Sequence, residues 1–307
     1  MSKISVVIPA YNEEEVIVES HKRLSEVMQK CNHNYELIFV NDGSRDKTVP
    51  SLQEIKSKDD HVKIINFSRN FGHQIAVTAG LDNADGDAIV IIDADLQDPP
   101  EVILDMIQKW ENGAEVVHGR RLSRQGETAF KKVTAKAYYR ILRSLTGVEI
   151  PVDVGDFRLI DKKVRDVLCA MPEHNRYIRG LVALVGFRQE FTDYVRDPRL
   201  AGETKYSMKK MLKLASDGIF ALSYTPIRIV TFVGFTLFVL GGMSGIYNIL
   251  AEIFDWWDSF VLIIATFAML SSGVIMLSVG CIGEYIARIC DEVKARPLYI
   301  ENMLKDK

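Results

Sequence analysis

Three aspartates that follow an apolar run are the residues of this sequence best suited to chemistry. Asp93, Asp95 and Asp98 lie in DADLQDPPE, directly after AIVII. Clustered like charges at the end of a buried strand are unfavourable unless a cation or solvent receives them. The carboxylates of Asp93 and Asp95 and the amide oxygen of Gln97 are ligands of the kind that Mg²⁺ and Mn²⁺ prefer. We therefore predict that Asp93, Asp95 and Gln97 bind a divalent metal ion.

Asp98 and Glu101 have a simpler interpretation. Asp98 precedes Pro99 and Pro100, and aspartate is favoured at a helix N-cap while proline is favoured in the first helical turn. We expect these two acidic residues to lie at a solvated helix N-terminus. A cap of this kind does not account for Asp93 and Asp95, which precede it.

Two further polar motifs follow apolar runs. In NDGSRD, Asp42 is placed to accept hydrogen bonds from a nucleotide base or ribose, and Asp46 is expected to cap the next helix. NDG is also a common turn, so this motif alone is weak. In PAYNEEE, Tyr11 and Glu13 could stack on and hydrogen-bond a base, or Asn12 or Glu13 could simply open a helix.

Basic residues and one more acid complete the candidate groups. The guanidinium group of arginine can bind two phosphate oxygens at once. Arg120, Arg121 and Arg124 in GRRLSRQGE are therefore candidate phosphate ligands. The alternative is that they form a solvated basic loop or a membrane-surface patch. Asp156 in GDFRL is a general base or a turn cap. The sequence contains no GxGxxG, GxxxxGK[ST], HxxxH or HExxH motif, so dinucleotide, P-loop and zinc sites are unsupported.

The elements that must position these groups are strands of an α/β sheet. Val- and Ile-rich runs with helix-length spacers predict parallel strands covered on both faces, at residues 4–10, 35–42, 62–68, 87–93 and 114–119. Further extended segments are expected at 156–161 and 187–195. Ligands of such sheets bind beyond the carboxyl ends of the strands. The polar motifs above, together with FSRNFGH, follow those ends and should therefore lie at one edge.

The totals exclude some classes of function. Lys plus Arg is 38 against 41 for Asp plus Glu, a net charge of −3, so no global basic field favours nucleic acid. The four cysteines show no paired metal spacing, which favours free thiols in a reducing compartment. The apolar run at the N-terminus is too short for a secretory signal.

Two uncharged segments near the C-terminus, 229–251 and 259–283, exceed the roughly 20 residues that span a bilayer core. We predict a transmembrane hairpin, with Trp256 and Trp257 at the far interface and both ends in the cytoplasm by the positive-inside rule. The preceding residues 207–222 have helical periodicity with lysines on one face, which suits an interfacial helix or a core-packed one.

The ordered motifs SVVIPAYNEE, NDGSRD, DADLQDPPE, GRR and DFRL, followed by two spans, resemble the family 2 glycosyltransferases that charge polyprenyl phosphates. These are the bactoprenol glucosyltransferases, related to dolichyl-phosphate mannose synthase. The resemblance covers nearly the whole chain. It implies a GT-A fold, which is a Rossmann-like, mostly parallel sheet, and a metal-dependent transfer from a nucleotide sugar to undecaprenyl phosphate. It favours a UDP-hexose or UDP-GlcNAc donor, and relatives of this kind often form tetramers.

The resemblance also implies roles for residues. Asp156 takes the position of the proposed base, and Arg120, Arg121 and Arg124 face the phosphates of donor and acceptor. We hypothesise that Lys205 guides the lipid headgroup, and that transfer is a single displacement with inversion, since no covalent nucleophile is evident. The residues implied to hold the nucleotide sugar are Pro9, Tyr11, Glu13, Asp42, Asp93, Ala94 and Asp95.

The expected organisation is a cytoplasmic catalytic domain (1–205), a juxtamembrane helix (206–225), two transmembrane helices (226–284) and a cytoplasmic tail (285–307), in the plasma membrane. Two alternatives remain open. A processive polysaccharide synthase would need more spans and a QxxRW-type motif, neither of which is present. A non-catalytic, membrane-tethered nucleotide-binding module would not need the Asp93 and Asp95 pair.

Overall fold

The computed structural model describes residues 1–122, 154–174, 176–197, individual helical positions between 230 and 253, and residues 260–302. Arg124, Lys205 and the predicted helix at 207–222 lie outside the described residues. The same is true of Trp256, Trp257 and much of the first predicted span.

Within the described residues, seven strands form one sheet in the order β3-β2-β1-β4-β6-β5-β7. Only β6 runs antiparallel to its neighbours β4 and β5, while the other pairings are parallel. The strands are β1 (Lys3–Ala10), β2 (Asn34–Asn41), β3 (Val62–Asn66), β4 (Ala88–Ile91), β5 (Val116–Arg121), β6 (Val154–Asp161) and β7 (Gln189–Tyr194). The predicted mostly parallel α/β sheet is confirmed.

The reversed direction of β6 matters for the site. Because β6 is antiparallel, its amino-terminal end lies at the edge where β4 and β5 have their carboxyl ends, and Arg120 is paired with Val154. Asp156, two residues into β6, is thereby brought to the edge that also receives Asp93 after β4. A strand in the other direction would have placed Asp156 away from Asp93.

Helices cover both faces of the sheet. On one face α1 (Ile17–Met28), α2 (Thr48–Lys56) and α4 (Val102–Glu111) pack into one buried apolar cluster. On the other face α3 (His73–Asp82), α5 (Lys162–Ala170) and α6 (Ile178–Leu184) pack into a second. Val6 and Val7, adjacent in β1, are fully buried in opposite clusters, since successive strand residues point to opposite faces. A sheet buried on both sides explains the continuous apolar runs.

The last helix, α7 (Phe260–Lys294), contains a candidate membrane span, Leu270–Lys294, by length and composition. Ile275, Met276 and Leu277 are 61%, 75% and 70% exposed on it. Within the described residues this is the one helix of that kind, and the two-helix hairpin therefore stays a prediction.

After α7 the chain returns to the sheet. Glu301 forms an antiparallel bridge with Phe67, just beyond β3. The amide of Ser68 donates to Ile300 O at 2.9 Å, and the amide of Asn302 donates to Asn66 O at 2.7 Å. We call residues 299–302 the C-terminal strap.

Candidate active site

The carboxyl edge of the sheet brings together acids that are far apart in the sequence. His73, the first residue of α3, lies between two of them: its Nε2 is 3.7 Å from Asp93 Oδ1 and 3.4 Å from Asp156 Oδ2. The Asp93 and His73 side chains are each 33% exposed, and that of Asp156 is 11% exposed. The predicted metal ligand Asp93 and the predicted base Asp156 therefore share one histidine.

The two aspartates have opposite electrostatic settings. Burial, opposed by His73 and aided by the neighbouring carboxylates of Asp156, Asp95 and Asp98, raises the pKa of Asp93 to about 6. Burial also opposes ionisation of Asp156, but Arg179 and His73 outweigh it and hold its pKa well below the usual range. Asp156 is therefore ionised, whereas Asp93 lies in a field that favours a cation.

Arginines occupy the oxygens of Asp156. Arg179 donates from Nε to Oδ1 and from its terminal nitrogen to Oδ2, both at 2.9 Å. Arg158 lies 3.6 Å from Oδ1 and donates to the carbonyls of Gly155 and Asp156. With its side chain 1% exposed, Arg158 needs a nearby anion because an unpaired buried charge is costly.

The expectation for Asp98 was wrong. It is 1% exposed, and its carboxylate accepts a hydrogen bond from Tyr194 Oη at 2.6 Å. Arg121 and Arg196 both lie 3.3 Å from it. Helix α4 begins at Val102, with Glu101 as the N-cap residue and no side-chain cap hydrogen bond. Pairing with cations from β5 and from the end of β7 outweighed the local capping preference.

The two described arginines of GRRLSRQGE are part of β5, so the solvated-loop alternative is wrong for them. Successive strand residues point to opposite faces. Arg121 is 15% exposed and donates to Tyr194 Oη at 3.1 Å. Arg120 is 46% exposed and forms a bidentate pair with Asp193, at 2.6 and 2.8 Å. Their predicted contacts with phosphate stay predictions.

Asp42, after β2, fixes the loop that follows β3. Its carboxylate accepts the amide of Phe71 at 2.6 Å and that of Gly72 at 3.0 Å. Burial raises the pKa of Asp42, and these two amides act in the opposite direction. Gly43 has φ +66°, and a Cβ there would lie 2.4 Å from the carbonyl carbon of Arg69. Only glycine allows this approach of the two loops.

The loop after β1 is tied to the loop after β2. The amide of Asn12, which has φ 54°, donates to Ser44 Oγ at 2.9 Å, and Asn12 Oδ1 accepts the amide of Arg45. The amide of Glu13 donates to Thr48 Oγ1 at 2.8 Å. Asp46 accepts the Thr48 amide at 3.0 Å, but the N-cap residue of α2 is Lys47, so Asp46 lies one residue before the position that we expected for it. Pro9 is buried in β1, where it pairs with Val40.

The residues after β4 include the predicted ligands of a divalent ion. Ala94 and Leu96 are 2% and 1% exposed, and Leu96 has φ 54°, a conformation unusual for a residue other than glycine. In the part of the chain described, no group of three or more His, Cys, Asp or Glu side chains is arranged to hold a metal. An ion here would therefore use Asp93, Asp95 and the Gln97 oxygen together with ligands from a substrate, the pattern usual for Mg²⁺.

Two site residues were missed in the sequence analysis. His73 lies in FSRNFGH, one of the segments expected at this edge, so the strand-end rule contained the signal for it. Arg179 had no such signal. It reaches Asp156 from α6, 23 residues along the chain, through helix packing that no local pattern reveals.

Known proteins resemble this chain over its full length. Uncharacterized glycosyltransferase YkcC of Bacillus subtilis is 52% identical, with 96% of this chain and 92% of the relative covered. The prophage bactoprenol glucosyl transferase homolog of Escherichia coli K12 is 37% identical, with 99% of each covered. The bactoprenol glucosyl transferase of Shigella phage SfV is 36% identical, with 99% and 100% covered.

The fold resembles that of solved glycosyltransferases. Glucosyl-3-phosphoglycerate synthase from Mycobacterium tuberculosis, solved with Mn²⁺, UDP and phosphoglyceric acid, has a TM-score of 0.53 at 20% identity, covering 72% of this chain and 77% of that one. Residues 5–168 match the family model described as Glycosyl transferase family 2. The mixed α/β sheet is thus GT-A-like, and the chain belongs to glycosyl transferase family 2.

Proposed function

We propose that this glycosyltransferase moves a hexosyl group from a UDP-sugar to a polyprenyl phosphate. The observation that supports it best is the charged cluster of Asp93, His73, Asp156 and Arg179 at the carboxyl edge. It belongs to a chain that is similar over its full length to bactoprenol glucosyl transferases. The choice of a UDP-sugar is supported by a solved glycosyltransferase of similar fold, which holds UDP with Mn²⁺.

In this proposal the carboxyl ends of β1, β2 and β4 bind the donor. Pro9, Tyr11, Glu13 and Asp42 hold the nucleotide, and Ala94 is part of the nucleotide-sugar site. Asp93, Asp95 and Gln97 hold Mg²⁺ or Mn²⁺, which when bound would neutralise charge on the departing diphosphate. The raised pKa of Asp93 supports this assignment, because a cation is the partner that Asp93 and its three neighbouring carboxylates favour.

Asp156 serves as an orienting group in this proposal. A phosphomonoester has its second pKa near 6, so it is already largely a dianion at neutral pH and hardly needs a base. Arg179 occupies both oxygens of Asp156. Asp156 therefore holds Arg179 and His73 at the reaction centre, and Arg120, Arg121 and Arg124 serve the phosphates. Direct attack by the lipid phosphate would invert the anomeric carbon.

Membrane attachment is the remaining part of the proposal. The apolar side chains exposed along α7 favour an apolar environment around that helix, and the candidate span is long enough to cross a bilayer. A lipid acceptor requires that the site face the membrane surface, and we assign to Lys205 and residues 207–222 the guidance of its headgroup.

The full chain in detergent micelles, supplied with Mn²⁺, a panel of labelled UDP-sugars and a short polyprenyl phosphate, tests the proposal. We expect a single-sugar glycolipid with one preferred donor. Asp95→Asn should lower its rate by about 100-fold or more, as expected for losing an electrostatic contact at the transition state. Asp60→Asn, an exposed aspartate in the turn before β3, is the matched control and should retain full activity.

Other products would identify the alternatives. A polymer would indicate a processive synthase, and UDP binding without transfer to any lipid would indicate a non-catalytic module. Undiminished glycolipid from Asp95→Asn would contradict the metal assignment while leaving the acceptor assignment intact.

A further inference from the structure

The C-terminal strap lies against the segment that leads into the candidate site. Tyr299 stacks on Phe67, with ring centroids 5.0 Å apart and an interplanar angle of 22°. Phe67 is 2% exposed and makes an edge contact with Phe71 at 5.6 Å. Phe71 is one of the two residues whose amides the Asp42 carboxylate accepts. The strap therefore packs, through one buried aromatic ring, on the loop fixed by Asp42.

Hydrogen bonds continue from the strap across the loops after β2 and β1. Asn66 Nδ2 donates to Asn302 O at 3.3 Å, and Asn41 Nδ2 donates to Asn66 Oδ1 at 2.6 Å. Asn41 Oδ1 accepts the amide of Ser44 at 3.2 Å, and Ser44 Oγ accepts the amide of Asn12 at 2.9 Å. Asn41 is 1% exposed and Asn66 9% exposed, so water competes little for these bonds.

The strap is also continuous with α7. His174 contacts Glu292 near the end of that helix, through its amide at 2.7 Å and its Nδ1 at 2.9 Å. His174 Nε2 lies 2.7 Å from the carbonyl of Arg296. The end of the candidate membrane helix is thus attached to the catalytic domain at residue 174, and the strap that follows the helix is attached at residues 66–68.

We propose that the C-terminal strap is a positioning element of the donor nucleotide site. It holds the loops after β3, β2 and β1 in the conformation that binds a nucleoside diphosphate, and so makes donor affinity depend on how the chain leaves the membrane helix. This inference rests on the proposed function for the identity of the donor. The loops themselves and their contacts with the strap do not depend on it.

Tyr299→Ala in the full chain tests the proposal through two measurements that need no lipid acceptor. Hydrogen exchange of the peptide covering residues 66–73 should speed up, because the ring stack and the strap pairing are lost, while exchange in β1 and β4 stays unchanged. UDP with Mn²⁺ should bind about tenfold more weakly, the order expected for losing an aromatic pair and its burial. Under turnover, KM for the donor should rise about as much, with kcat within about twofold.

Two variants serve as controls. Tyr299→Phe keeps the ring and should behave as wild type. Ile300→Ala removes a side chain that is 57% exposed and leaves the carbonyl that Ser68 uses, so it should also behave as wild type.

The results have distinct meanings. Unchanged exchange at 66–73 and unchanged UDP affinity in Tyr299→Ala would overturn the strap proposal, whatever the enzyme's acceptor. Faster exchange throughout the sheet would also overturn it, because the strap would then serve general stability. Failure of the wild-type chain to form glycolipid would contradict the proposed function alone, since the UDP and exchange measurements would still report on the strap.

Discussion

Carboxylates in the two halves of the sheet have different charged neighbours. In the parallel half, formed by β3, β2, β1 and β4, Asp93 lies beside other carboxylates and its pKa rises to about 6. In the mixed half, formed by β6, β5 and β7, Asp156 of β6 is paired with Arg179 and Arg158, and Arg121 and Arg196 reach from this half to Asp98, in the segment after β4. Negative charge is therefore in excess around Asp93, whereas the acids that contact the mixed half are paired with arginines.

Elsewhere in the parallel half, a buried acid does have cationic partners. At its opposite edge Glu36, 5% exposed, contacts Lys3 at 2.9 Å and Lys63 at 2.7 Å, and it accepts a hydrogen bond from Ser5 Oγ at 2.5 Å. The excess negative charge is confined to the carboxyl edge. It is therefore a local feature of the candidate donor site, as expected where a cation is to be bound.

The strongest test of this contrast is Asp93→Asn. We expect kcat/KM to fall by about 100- to 1000-fold, because the negatively charged carboxylate ligand of the metal is replaced by a neutral amide. The free energy of unfolding should not fall, since the substitution removes one of several mutually repelling charges. Steady-state kinetics and thermal unfolding of the same preparation measure both. A large loss of stability would show that Asp93 is a paired structural acid like Asp156.

Asp156→Asn, unlike Asp93→Asn, should lower the free energy of unfolding. It leaves Arg158 and Arg179 without their carboxylate, and breaking a buried pair typically costs about 3–5 kcal/mol of unfolding free energy. Chemical denaturation of the full chain in detergent measures the change, with exposed Asp105→Asn on α4 as the control. A variant as stable as wild type would mean that the arginines find other anions.

Glu36→Gln tests the pairing at the amino-terminal edge. Burial disfavours ionised Glu36, but Lys63, Ser5, the Asp85 amide and Lys3 together lower its pKa from 4.5 to about 2. The ionised Glu36 therefore stabilises the folded state at pH values above 4.5, the pKa in the unfolded chain. This stabilisation is lost as the pH falls through about 2, the pKa in the folded protein. At neutral pH the variant should be less stable by about 2 kcal/mol. Denaturation at neutral and acid pH should show the gap closing towards pH 2, and a pH-independent gap would contradict this account.

The smallest effect is expected for Arg120→Ala. Although its bidentate pair with Asp193 has good geometry, the pair is exposed, and exposed pairs contribute little to stability. The thermal unfolding midpoint should match that of wild type. A clear drop would mean that the stacking of Arg120 over the Phe191 ring, 5.3 Å away, stabilises the edge of β7.

Much of the parallel half could be predicted from sequence. Alternation of Val- and Ile-rich runs with helical spacers identified its four strands, and the strand-end rule located Asp42, Asp93 and Asp95 at one edge. The observed boundaries differ by a few residues, and β4 ends at Ile91, before Asp93. Local periodicity was sufficient because each parallel strand is buried on both faces and repeats the same pattern.

The mixed half could be predicted only in part. The extended segments at β6 and β7 were recognised, but the insertion of β6 between β4 and β5 depends on long-range pairing. The capping prediction failed at Asp98 for the same reason, since its partners Tyr194 and Arg196 lie about a hundred residues away in sequence. Ion pairs between residues that lie far apart in the sequence produce no periodic pattern from which they could be predicted.

The bridge between Phe67 and Glu301 also bears on self-association. β3 is the last strand on its side of the sheet, and an edge strand presents backbone groups that another chain could pair with. The strap occupies those groups where β3 ends, and Lys63 places a charge further back along the same strand. A chain cut short before residue 299 would therefore expose this edge and should aggregate more readily during expression.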